Sequence, residues 1–143
     1  MTDEHSLRQA IDDARACALS MSDNAALIET ELPELGMPAA LDARTREVCD
    51  ELVGAKHDVF AELARLDDLL ADGRVSDETV RGSFERIMGW LQAPLEPMHE
   101  LARALEAQPQ GGVAWALVAD SATHVYEAFG CARDSAQRLW GNG

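Results

Sequence analysis

Glu96 and His99 stand in the order Glu-x-x-His, the spacing by which one helix offers a carboxylate and an imidazole to a di-iron or di-manganese centre in a four-helix bundle. Such a centre needs a second pair of the same kind and two more inward glutamates, and the sequence supplies neither. With Met98 on the apolar seam, Glu96 falls on the outward face of its helix and His99 on a flank. No metal site and no cofactor are expected. Asp120, His124 and Glu127, spaced by four and then three, share another helical face, and acid-histidine-acid geometry could orient an imidazole for proton transfer. That face lies opposite the seam through Val118, Ala122 and Val125, with no nucleophile or oxyanion donor implied beside it. It reads as a surface ion-pair cluster.

His57 faces outward in the second helix, which resembles the setting of the histidine in phosphotransfer bundles of similar size and fold. That family usually follows the histidine with a lysine three positions on and a glycine four on. Phe60 and Ala61 stand there instead, so the likeness extends to fold class alone. Cys17, Cys49 and Cys131 are odd in number, widely spaced and without a C-x-x-C pair, which excludes a disulfide framework or a zinc knuckle as the reading of the sequence. They are placed beside or away from the seams, as inert thiols. Gly-x-Ser-x-Gly elbows and phosphate-binding glycine loops are absent, so no catalytic residue is assigned and an enzyme is not expected.

The elements that carry these residues are helices. Leu7, Ile11, Ala14, Ala18, Met21, Ala25, Ile28 and Leu32 recur in alternating steps of three and four, which keeps them on one helical face from about Thr2 or Ser6 to Leu32. Pro33 ends that helix and Pro38 suits the first turn of the next. The second helix carries Leu41, Thr45, Val48, Leu52, Ala55, Val59, Leu63, Leu66 and Leu70, and Gly73 closes it in a left-handed conformation. Ser76 caps a third helix with seam residues Val80, Phe84, Ile87, Leu91, Met98, Leu101 and Leu105, kinked or broken near Pro94 and Pro97. After a loop at 108–112 the last seam runs through Trp115, Val118, Ala122, Val125, Phe129, Ala132, Ala136 and Leu139. The fold class is all-α: residues 1–143 form a single-domain antiparallel four-helix bundle, up-down-up-down, with its core built from aliphatic rather than aromatic side chains.

Charge is the other strong signal. The chain carries a formal net charge of −14, and the segments 1–34, 35–73, 74–108 and 109–143 hold −6, −5, −2 and −1 of it. A surface of this sign repels nucleic acid and anionic membranes and favours a basic protein partner. The acids assigned to that contact are Asp12, Asp13, Asp50, Glu51, Asp58, Asp67 and Asp68. Trp90, Tyr126 and Trp140, flanking the near-neutral third and fourth helices, form a candidate apolar interface for a homodimer or partner.

The acidic start of the chain lacks the bases of a leader, the cysteine usage fits a reducing cytoplasm, and no stretch is long enough to span a membrane. Eleven arginines against one lysine, with abundant alanine, fit the GC-rich codon usage of some bacteria and their phages. The expected function is non-catalytic: an acidic cytoplasmic bundle that binds and inhibits or regulates another macromolecule. The expected target is a basic nucleic-acid-handling protein, by physical analogy with anti-CRISPR, anti-restriction and immunity proteins. The alternatives are a metal- or cofactor-binding bundle and a self-associating structural or adaptor protein.

Overall fold

A computed structural model describes residues 3–35, 39–73, 75–109 and 112–140. They form helices α1 (Glu4–Glu31), α2 (Asp42–Ala71), α3 (Asp77–Gln92), α4 (Leu95–Glu106) and α5 (Gly112–Arg138), with short 3-10 turns at Leu32–Leu35 and Ala39–Leu41. No strand occurs among the described residues, and no helix is long and apolar enough to cross a membrane.

Local chemistry sets the helix ends. Asp3 caps α1: its carboxylate accepts the Ser6 amide at 3.1 Å and the Ser6 hydroxyl at 2.9 Å. These two bonds, the hydroxyl's foremost, hold the Asp3 carboxyl below its usual pKa. Thr2 and Pro38 lie outside the described residues. Pro33 does stop the α-helix, but the chain tightens into the Leu32–Leu35 turn instead of leaving helical geometry at once. Leu41 opens α2 with no side-chain cap, and the Thr45 hydroxyl donates back to the Leu41 carbonyl at 2.8 Å. Gly73 adopts φ 68°, a conformation that costs other residues strain, and closes α2 as the sequence indicates. Ser76 accepts the Thr79 amide at 3.1 Å to start α3, with Asp77 and Glu78 in the first turn.

Between α3 and α4 stand Ala93 and Pro94. Without an N–H, Pro94 cannot serve the Trp90 carbonyl, so α3 ends with the Ala93 amide on Gly89 at 3.1 Å. Pro94 becomes the cap residue of α4, and its carbonyl accepts the Met98 amide at 3.1 Å. Pro97 falls in the first turn of α4, where a missing donor costs nothing.

A single core cluster joins the helices: α1 packs mainly on α2 and α5, α3 on α2, and α4 on α5. Ala10, Ala14, Ala18 and Ala25 are fully buried on α1 and let its neighbours approach closely, while Phe84, Met21, Ile28 and Met98 fill the wider layers. Two expectations are corrected here. Trp115 is 37% exposed at the bundle end and Ala114 occupies the inward position, because four steps back from Val118 keeps the seam better than three. Cys17 and Cys49, expected beside or off the seams, are fully buried. Cys17 lies three steps from Ala14 and Cys49 one step from Val48, on flanks that the neighbouring helices cover.

Candidate functional site

A connected polar cluster lies between α2 and α3, on residues that no sequence motif marks. Glu62 is only 8% exposed, and three donors meet its Oε2: Ser83 Oγ at 2.6 Å, Arg65 Nη2 at 2.6 Å and Arg86 Nη2 at 2.7 Å. Arg65 Nη2 also reaches Ser83 Oγ at 3.2 Å. Burial pushes the Glu62 pKa up, but hydrogen bonds from Arg65, Arg86 and Ser83, with the charge of Arg65, outweigh it and hold the group at about 2. One carboxylate thus fixes α2 against α3 and neutralises part of two half-exposed arginines. The only trace of this in the sequence is that Glu62 follows the seam residue Val59 by three, and that Ser83 takes the corresponding place after Val80.

The seven acids assigned to a partner surface divide into two groups. Asp12 and Asp67 flank Arg15, at 3.5 and 3.6 Å from its guanidinium nitrogens, and help tie α1 to α2. Asp13 accepts a hydrogen bond from Gln9 at 3.0 Å and another, very short one from Ser135 on α5. Asp50, Glu51, Asp58 and Asp68 are different: all four are exposed on α2 and, among the described residues, none of their side chains has a hydrogen-bonding or ionic partner. Their spacings of one, seven and ten place them on the outward half of the helix, with Glu47 and Gly54 between.

Near the Arg15 cluster an open groove of about 660 Å³ has Leu7, Ile11, Leu70, Val75 and Val80 as its apolar floor and Arg8, Asp12, Arg15 and Asp67 on its rim.

The three aromatic residues have different surroundings. Trp140 is half-buried, with the Arg81 guanidinium 5.0 Å above its ring, and its indole Nε1 is buried without a hydrogen-bond partner. Tyr126 is 51% exposed and meets His99 of α4 edge-on, ring centroids 6.2 Å apart. Trp90 is partly buried on α3 and packs against the core cluster.

The remaining polar spacings are occupied locally. Glu96 pairs with Arg103 at 3.1 Å, both exposed, and His99 lies on Tyr126 rather than beside a second acid. Asp120 and His124 approach to 3.7 Å on the surface, and no third carboxylate among the described residues joins them. Among the described residues no group of three His, Cys, Asp or Glu converges as a metal would need.

Burial raises the Cys49 thiol to about 12, with Glu29 and Asp50 adding to it, and its Sγ contacts the Ala25 carbonyl at 3.7 Å. Cys17 is raised to about 12 as well, by burial first and Cys131 second. Only Cys131 is exposed. Alkylation of the native protein with iodoacetamide at pH 8 should therefore modify Cys131 and spare Cys17 and Cys49 until denaturant is added, as peptide mass mapping would show.

Comparisons with protein-family models, with curated proteins and with solved structures found no match to this chain.

Proposed function

We propose that the protein is a non-catalytic helical bundle that binds a basic protein and inhibits or regulates it, with the outward face of α2 as the contact. The observation that carries this reading is the unpartnered quartet Asp50, Glu51, Asp58 and Asp68. Acids with internal work, such as Glu62 and Asp13, are excluded from it. Four exposed carboxylates over five turns of one helix, on a chain of net charge −14, attract an arginine- or lysine-rich surface and accelerate encounter with it. A target that normally holds nucleic acid presents such a surface. The cytoplasm of a bacterium or of a phage-infected cell is the compartment this reading assigns.

The arrangement of the arms belongs to the same proposal: four arms, the third being α3 and α4 bent at Pro94, run up-down-up-down. The pairs Arg15–Asp67 and Ala25–Cys49, Glu62–Arg86 and Arg65–Ser83, and Arg81–Trp140 and His99–Tyr126 each descend along one arm as they ascend the other, which supports antiparallel neighbours. In such a bundle α2 exposes one continuous outer face.

Capture from a lysate of the native host tests the functional reading. Immobilised protein should retain a basic protein at low salt and release it as salt rises through the range where the Debye length falls from about 10 Å to 3 Å. Retention by the parent and equally by a variant with Asp50, Glu51, Asp58 and Asp68 changed to lysine would count against it.

A second reading, self-association, rests on α5, where Val113 is 66% exposed and Trp115 and Tyr126, eleven residues apart, share a helical face.

A further inference from the structure

Two of the three cysteines are brought together by the register of α1 against α5. The contact of Asp13 with Ser135 pins that register. One helical turn further along α1 and one turn back along α5 lead to Cys17 and Cys131, with Ala14 and Ala132 buried beside them, small enough to keep the backbones close. Cys17 is fully buried at this seam and Cys131 is exposed at its edge, so one thiol is reachable from solvent and the other lies behind it. Cys49 belongs to the seam between α1 and α2, against Ala25, and is not part of the pair.

We propose that Cys17 and Cys131 form a dithiol modification site that closes to an intramolecular disulfide, tying α1 to α5, on reaction with a low-molecular-weight disulfide. In the first step the Cys131 thiolate attacks one sulfur of the reagent, forming a mixed disulfide and releasing one reagent thiol. In the second, Cys17 gives up its proton to solvent and its sulfur attacks Cys131 Sγ, expelling the second reagent thiol. Two protein thiols are oxidised by two electrons, and one reagent disulfide is reduced to two thiols. The raised pKa of Cys17 makes the second step the slow one, and its place on the same α1–α5 seam as Cys131 compensates by making the attack intramolecular. The bond closes a long loop of chain, so the oxidised protein should melt about 5 to 10 °C higher than the reduced one.

The test is incubation of the native, reduced protein with oxidised glutathione at pH 8, followed by thiol counting in denaturant, intact mass and tryptic mapping without reductant. The expected product is a monomer that keeps one free thiol and no glutathione, with peptide 16–44 joined to peptide 104–133. Cys49→Ala should close in the same way, and Cys17→Ala, shown to be folded by circular dichroism, should stop with glutathione held on Cys131. A parent protein that retains glutathione on Cys131 with Cys17 still free, or that cross-links two chains through Cys131, would overturn the proposal.

Discussion

Val125→Asp should abolish cooperative folding or lower the melting temperature by more than about 10 °C, because it sets an ionisable group in an apolar layer with nothing to pair with it. Val125 is fully buried on α5 and belongs to the single core cluster. The change is expected to cost upwards of about 4 kcal/mol, a large share of the roughly 5–15 kcal/mol by which a domain is stable. Glu127→Ala, two residues on and exposed, should melt within a degree or two of the parent. A thermal scan by circular dichroism separates the two, and a Val125→Asp protein that melts like the parent would mean that α5 does not pack on this face.

Removing the carboxylate between α2 and α3 is expected to have the next largest effect. Glu62→Ala strands Ser83, which is fully buried, and leaves Arg65 and Arg86 facing each other without their shared counter-ion. A loss on the order of 3 kcal/mol follows from breaking a buried, hydrogen-bonded ion cluster on one side only. The same group gives the stability a pH dependence. Its folded pKa, about 2, is below the ordinary 4.5, so the unfolded chain takes up the proton first as pH falls. The contribution is complete above pH 4.5 and is lost between there and pH 2. Urea titrations at pH 7 and pH 3 should show the gap between parent and Glu62→Ala narrowing at the lower pH, and a gap that stays constant would contradict the assignment of the low pKa to Glu62.

What was legible in the sequence was whatever depends on near neighbours. Seam residues from Leu7 to Leu32 and from Val48 to Leu66 are buried because steps of three and four define a face without reference to any other helix. Gly73, Ser76 and the prolines at 94 and 97 act on the backbone within one turn of themselves, and the helix ends follow them. Tertiary pairing was not legible. Glu62 looks like any charged residue on a helix flank until Ser83 and Arg86, more than twenty residues away, close over it. Nothing local in the sequence marks Ser135 as the partner of Asp13 or Arg15 as the partner of Asp67. The repeat points Trp115 inward, although in the first turn of α5 it is Ala114 that is buried. The same long-range contacts leave Asp50, Glu51, Asp58 and Asp68 as the four of the seven acids whose side chains have no partner among the described residues.

The central claim is that recognition runs through the unpartnered acids of α2, and one titration tests it most directly. The basic protein captured from the host, once purified, is titrated calorimetrically with the parent and with the variant carrying Asp50→Lys, Glu51→Lys, Asp58→Lys and Asp68→Lys, each at about 50 mM and about 500 mM salt. The account predicts an affinity that falls at least about 100-fold on charge reversal at low salt, a difference between the two proteins that shrinks at high salt, and unchanged helicity and melting temperature. Equal affinities for parent and variant at both salt concentrations would contradict it.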